Sequence, residues 1–154
     1  MRAAVTGGHG FVGRHLVEHL EACGDEVVVV DRSGAPAVDI TDADQVTAAL
    51  ADARPEVVYH LAGWADVGAS WDAPRAVLRA NAEGTLNVLE ASRAAGAGRV
   101  LAVASADVYG AVDAADLPLT EASPLRPTSP YAASKVAADA LALQAFLGYG
   151  LGVI

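Results

Sequence analysis

A parallel, doubly wound sheet between helices, a three-layer α/β/α architecture, is predicted by three observations. Short apolar runs rich in Val and Ala recur along the chain. Amphipathic helical segments separate them, and a cluster of glycines stops the first run. Alternation of this kind implies right-handed crossovers, which set successive strands parallel and place helices on both faces. The chain has 154 residues, 53% of them hydrophobic, with a mean hydropathy of +0.33. That is one domain, residues 1–154, with enough apolar content to close a core and too much to be disordered.

The elements follow in order. "RAAVT" (2–6) is a short apolar run ending in glycines and reads as a buried strand. "FVGRHLVEHLEACG" sets Phe11, Val12, Leu16, Val17 and Leu20 at helical spacing, with Gly24 as the stop. "EVVVVD" (26–31) is β-branched without alternation, the pattern of a strand covered on both faces. "TDADQVTAALAD" (41–52) opens with Thr41 as a cap and early acids, which predicts a helix. "PEVVYHLAG" (55–63) supplies a third strand, and the spacing from Pro74 to Ala95 predicts one long helix. "GRVLAVAS" (98–105) is a fourth strand. Residues 106–128, with three of the seven prolines, read as a long irregular connection, which in a compact domain is often functional. "SPYAASKVAADALALQAFLG" (129–148) is a helix with Ser129 as cap and Pro130 in the first turn, and "LGVI" opens a further strand.

Ten basic residues stand against nineteen acidic ones, for a net charge of −9, and no Lys/Arg cluster interrupts the balance. Nucleic-acid binding through phosphates is thereby excluded. No apolar run approaches the roughly 20 residues needed to span a bilayer, and the glycine-rich start lacks a signal-peptide core. A single cysteine, Cys23, forms no internal disulfide, and a cytoplasmic protein is expected, with Cys23 as a small core residue. The motifs invoke no metal.

Glycines 7, 8, 10 and 13 lie between the first strand and the first helix. Gly8-His9-Gly10-Phe11-Val12-Gly13 matches G-x-G-x-x-G, and Gly7, Gly10 and Gly13 match G-x-x-G-x-x-G. Such glycines let backbone N–H groups approach a pyrophosphate at a helix N-terminus. Asp31 ends the second strand, where an acid accepts hydrogen bonds from the adenosine ribose. Together these predict a Rossmann-type dinucleotide-binding domain. Asp31 would repel a 2′-phosphate and favours NAD. Arg32 and Arg14 offer that phosphate a cation, so NADP remains the alternative.

Tyr131 and Lys135 stand at i and i+4 on one helical face. Lys135 is the only lysine among ten basic residues. A free phenol ionises near pH 10 and is a poor base at neutrality, but a nearby ammonium stabilises the phenolate. Lys also offers three donors on a flexible stem, enough to hold ribose hydroxyls, where a planar guanidinium would sit differently. A Tyr/Lys pair on a solvated face is the bland alternative, and the glycine cradle upstream weighs against it.

With "TGGHGFVG", "HLAG" (60–63), "SADVYG" (105–110) and "YAASK" (131–135) in that order, the chain resembles the extended short-chain dehydrogenase/reductases across essentially its whole length. These are NAD-dependent nucleotide-sugar epimerases, dehydratases and 4-keto-reductases. The segment "LPLTEASPLRPTSPYAASKVAAD" looks most like GDP-6-deoxy-mannose reductases and dehydratases. The resemblance implies that Tyr131 exchanges the proton at the sugar hydroxyl or ketone. Lys135 would bind the nicotinamide ribose, and Ser105 would hydrogen-bond the reacting oxygen. It further implies Gly7, Gly10, Phe11, Val12 and Gly13 around the pyrophosphate, with Asp31 and Arg32 at the adenosine ribose. Asp39 and Ile40 would lie at adenine, and Leu61, Ala62 and Gly63 would line the cofactor. Asn81 falls where the family places a polar structural residue. A homodimer through the 75–95 and 129–148 helices is expected by the same likeness.

Several of these residues also have structural readings. Ser105 could cap a strand end and Asp39 could be a loop acid. His60 reads as a packed core histidine and His9 as a loop filler. Trp64 and Trp71 either line a cleft or pack on the loop after the third strand.

Dehydratases of this kind carry an acid pair after the serine or threonine. Here Ala106 supplies none, and Asp107, the auxiliary-acid candidate, is shorter than the glutamate of the GDP-mannose enzymes. Elimination is disfavoured, which leaves epimerisation or 4-keto reduction of a nucleotide-sugar. Chains of the family usually continue into a substrate domain, so a chain ending at "LGVI" is expected to be truncated before it. Three readings follow: a sugar-modifying enzyme, an NAD(H)-binding module without turnover, and a scaffold subunit that completes its sheet with another chain.

Overall fold

The computed structural model describes all 154 residues. Strand β1 (Arg2–Thr6) leads into α1 (Phe11–Ala22), β2 (Glu26–Val30), α2 (Ala43–Ala53) and β3 (Val57–His60). Then come α3 (Pro74–Leu78), a π-helical turn (Arg79–Glu83), α4 (Gly84–Ala94), β4 (Arg99–Ala102) and α5 (Pro130–Tyr149). The four strands form one parallel sheet in the order β2-β1-β3-β4. At its far edge Val153 bridges Val100, and the Val100 N–H donates to the Gly152 carbonyl at 2.8 Å, so "LGVI" continues the sheet as expected.

Helices α2, α4 and α5 bury Val46, Leu50, Val88, Leu89, Ala142 and Ala145 against Ala4, Val58 and Val100 of the sheet. Helix α1 covers the opposite face, where Leu20, Leu16 and Val17 meet Ala3, Val5 and Tyr59. Each fully buried Leu or Val contributes about 1.5–3 kcal/mol. No helix is long and apolar enough to cross a membrane.

Five details depart from expectation. The α2 cap is Asp42, whose carboxylate accepts from Asp44 N and Gln45 N, because the Thr41 hydroxyl already donates to Asp39. The long helix is divided by the π-turn, around Asn81. Strand β2 is an edge strand with Val27, Val28 and Val29 only half-buried, since the sheet continues past β1 on the other side. Phe11 and Val12 are exposed, because α1 begins beyond the carboxyl end of β1, where no strand lies beneath it. Cys23 is also exposed; α1 ends at Ala22, and the turn through Gly24 carries the thiol away from the sheet.

Candidate active site

The strand order reverses between β1 and β3, and the crevice beyond their carboxyl ends is where open α/β sheets bind ligands. Nearly every motif singled out in the sequence converges there or on the adjoining end of α5.

Gly7 turns the chain at φ +71° directly after β1, and a Cβ on it would lie 2.8 Å from Ala62 N. Gly13 packs so closely that a Cβ would lie 2.1 Å from the Gly7 carbonyl oxygen. The loop is therefore stitched to the end of β3 on one side and to α1 on the other. Gly10 caps α1 without a side chain, and the first turn holds no acid. The N–H groups at that terminus, from Phe11 to Gly13, have no side-chain acceptor, whereas α2 and α5 are closed by Asp42 and Ser129. A narrow glycine cradle with an uncapped helix start fits a pyrophosphate.

Asp31 lies just beyond β2, across from the loop. Its Oδ1 accepts from the N–H and hydroxyl of Ser33 at 2.9 and 2.8 Å, and its Oδ2 from His9 N at 3.1 Å. Partial burial pushes its pKa up, but the donors of Ser33 and His9 outweigh this and hold it below the usual 3.8. Asp39 accepts from Thr41 N and Oγ1, and Ile40 lies in the core against Gly84. The Thr41 N–H, opposed by burial and assisted by Arg32 and Arg79, holds the Asp39 carboxyl below 3.8 as well.

His60 ends β3 and is buried. Its Nδ1 lies 2.7 Å from Thr6 Oγ1 and its Nε2 3.0 Å from Thr85 Oγ1. The Thr85 hydroxyl donates to the Asn81 carbonyl, so it can only accept from the imidazole. Nε2 therefore carries the proton, Thr6 donates to Nδ1, and Thr6 Oγ1 in turn accepts from Ala62 N at 3.2 Å. Burial first, and the Lys135 charge second, push the His60 pKa down to about 3. His60 is a structural hub, and the packed reading holds.

Asn81 stands in the π-turn, where the lost register frees a buried amide to reach sideways. Its Oδ1 accepts from Trp64 N at 2.7 Å; its Nδ2 donates to Trp64 O at 3.2 Å and to Ser134 Oγ at 2.8 Å. Ser134 passes the link to the Tyr131 carbonyl at 2.6 Å. A Cβ on Gly63 would lie 2.7 Å from Asn81 Oδ1. The loop after β3 is thus fastened to the first turn of α5.

Lys135 reaches from α5 to the end of the sheet, where Nζ donates to the Val103 carbonyl at 2.9 Å. Burial lowers its pKa. Tyr131 lies one turn earlier with its ring buried. Ser105 starts a 3-10 turn, Ala106–Tyr109, that packs against α5, and its Oγ accepts from Asp107 N at 3.2 Å. This is the capping role, and it leaves the Ser105 hydroxyl proton free to donate elsewhere. Leu61 and Ala62 pack against the two cores at the end of β3. Arg32, Phe11, Val12 and Asp107 are exposed at the rim. Trp64 Nε1 donates to Asp66 O, and Trp71 is exposed.

Thr6, Thr85, Ser134 and Ser33 were not singled out by the sequence. Their one signal was position: each adjoins or lies within a helical turn of a motif residue.

Strand order and glycine turn define a Rossmann-type dinucleotide-fold domain. The chain belongs to the NAD dependent epimerase/dehydratase family, whose model it matches over residues 3–154. It is 36% identical to the UDP-glucose 4-epimerase of Streptomyces lividans, over 97% of this chain and 49% of that protein. It is 39% identical to the GDP-6-deoxy-D-mannose reductase of Pseudomonas aeruginosa, over 93% and 46%. The crystal structure of the Thermus thermophilus UDP-glucose 4-epimerase in complex with NAD superposes with a TM-score of 0.90 at 37% identity, covering 99% of this chain and 53% of that one. The chain spans about half the length of the curated relatives it matches.

Proposed function

We propose that this chain binds NAD in the crevice between β1 and β3 and serves hydride transfer at C4 of a nucleotide-sugar, as an epimerase or a 4-keto-reductase. The observation that carries this reading is the fixed relation of Tyr131 and Lys135, held on one face of α5 with Lys135 tied to Val103. The family and its epimerase and reductase members support it.

The bound dinucleotide supplies the hydride acceptor or donor at its nicotinamide ring. The N–H groups of α1 take the pyrophosphate, and Asp31 takes the adenosine ribose. Lys135 holds the nicotinamide ribose and sets a positive charge one helical turn from Tyr131. Tyr131 gives or takes the proton at the sugar oxygen, which Ser105 orients by donating a hydrogen bond. Elimination of water is disfavoured, because Ala106 offers no acid and the Asp107 backbone is folded back onto Ser105.

A homodimer through the 75–95 and 129–148 helices belongs to the same reading. It is supported by the exposed apolar side chains of Leu78, Leu143 and Leu147. Sedimentation velocity tests it, and a monomer at high concentration would overturn it.

Calorimetric titration with NAD and NADP, followed by assay with 4-keto and 4-hydroxy nucleotide-sugars, tests the main proposal. Binding with turnover that Tyr131→Phe abolishes is the expected result. Binding that never leads to turnover would favour a non-catalytic NAD(H) module instead.

A further inference from the structure

Two buried hydroxyls in the helical run from Pro74 to Ala94 bond back to a carbonyl one turn earlier. Ser92 Oγ donates to Val88 O at 2.6 Å, and Thr85 Oγ1 donates to Asn81 O. Such bonds are local and ordinary for a hydroxyl inside a helix. Thr85 differs from Ser92 in two respects. Its bond closes on the π-turn Arg79–Glu83, and its oxygen also accepts from His60 Nε2, 3.0 Å away at the end of β3.

A π-turn is less favourable than the α register around it, so tertiary contacts must hold it in place. One set comes from Ile40. A Cβ on Gly84 would lie 2.7 Å from Ile40 Cδ1, and Asn87 Nδ2 donates to Ile40 O at 2.9 Å. The other is the grip of His60 on Thr85. The polarity of that grip is forced. Thr85 spends its one proton on Asn81 O, so His60 must donate through Nε2, and Nδ1 can only accept from Thr6. Beyond the turn, Asn81 Nδ2 donates to Ser134 Oγ, and Ser134 donates to the Tyr131 carbonyl. Thr6, His60, Thr85, Asn81 and Ser134 are all buried, so water does not compete for these bonds.

We infer that Thr85 is a positioning residue for Tyr131. Clamped by His60, its hydroxyl fixes the π-turn so that the Asn81 side chain holds the loop after β3 and the first turn of α5 in one arrangement. The inference rests on the hydride-transfer reading above for the reaction that Tyr131 serves. The side-chain placement itself is independent of that reading.

The test is NMR and thermal melting of the protein, Thr85→Val, Thr85→Ser and Ser92→Ala. Valine keeps the shape of threonine and removes the hydroxyl, whereas serine keeps the hydroxyl. In Thr85→Val the Asn81 side-chain amide protons should exchange with solvent roughly tenfold faster, and the Tyr131 ring resonances should shift. Thr85→Ser should restore both signals. Ser92→Ala should lower the melting temperature yet leave both signals in place, because its bond leads nowhere. If Thr85→Val behaves like Ser92→Ala, less stable with both signals unchanged, the inference is overturned. The His60 ring gives a second measurement that needs no variant. Nitrogen-15 NMR should show a protonated Nε2 and a bare Nδ1; the opposite tautomer would take the Thr85 proton away from Asn81 O and overturn the inference. In the nucleotide-sugar assay, Thr85→Val should lower kcat roughly tenfold with NAD affinity within about twofold of wild type. A loss of affinity alone also overturns it. Failure of the folded protein to bind NAD overturns the hydride-transfer reading instead, and the NMR outcomes stand apart from it.

Discussion

Lys135 Nζ and the Val103 carbonyl oxygen, 2.9 Å apart, join the first turns of α5 to the chain just beyond β4. The ammonium is thus pre-placed on the protein side by one hydrogen bond, with two donors left for a ligand. Burial opposes its charge, so the folded chain holds it at some cost in stability.

Lys135→Arg keeps the charge and should still fail. A planar, longer guanidinium cannot put one donor on the Val103 carbonyl where Nζ sits and aim the remaining donors as the ammonium does. NAD affinity should fall by about tenfold or more, the loss of a charge-assisted hydrogen bond of about 1.5–3 kcal/mol. Lys135→Met should lose as much affinity without lowering the melting temperature by more than a few degrees. Titration calorimetry and thermal melts check both variants. Wild-type affinity in the arginine variant would remove the argument for an amine.

The glycine loop predicts a contrast between two Gly→Ala changes. At Gly13 the new methyl would meet the Gly7 carbonyl oxygen at 2.1 Å and Gly8 Cα at 2.7 Å, both backbone atoms that cannot swing aside. Gly13→Ala should cost about 2–3 kcal/mol as the loop and α1 separate, and NAD binding should go with it. At Gly98 the methyl would meet Glu56 O at 3.6 Å, an ordinary contact. Gly98→Ala should stay within about 0.5 kcal/mol of wild type. Urea denaturation of the pair measures the difference, and equal costs would show that the cradle is not close-packed.

Asn81 offers a test of how α5 is positioned. Asn81→Ala leaves Trp64 N, Trp64 O and Ser134 Oγ without their buried partner. An unsatisfied buried group costs about 1–3 kcal/mol, so the loss should be at least that. Because Ser134 bonds the Tyr131 carbonyl, turnover should fall further than NAD affinity. A variant of wild-type stability would mean that water replaces the amide at no cost.

The strands and helices were legible because alternation of apolar runs and amphipathic segments is a local signal. The glycine cradle and the Tyr131/Lys135 pair were legible because spacing alone places them at a strand–helix turn and on one helical face. The π-turn at 79–83 was not. Its cause is tertiary, a buried Asn81 bonded to Trp64 and Ser134, elements far apart in sequence. Asp42 rather than Thr41 caps α2 because Asp39 takes the Thr41 hydroxyl, a competition that composition does not display. His9 read as filler because its partners, Asp31 and Ser33, lie 22 and 24 residues downstream.

His60 sets the acid limb of stability. In the folded chain its pKa is about 3, pushed down by burial and then by Lys135, against 6.5 for a free imidazole. Between those values the unfolded chain takes up a proton that the native chain refuses, so stability falls as the pH drops through that window. Above 6.5 the contribution is fully present, and each unit below it costs about 1.4 kcal/mol. Asp31 and Asp39 act with the same sign at lower pH. Their contribution is present above the ordinary 3.8 and is lost as pH falls through their lowered native pKa values. Gln can accept from Thr6 and donate to Thr85 but cannot titrate, so His60→Gln should flatten the stability profile between about pH 6.5 and 4. Urea unfolding across that range reads the slope. An unchanged slope in the glutamine variant would mean that the buried imidazole is not the group whose protonation unfolds the chain.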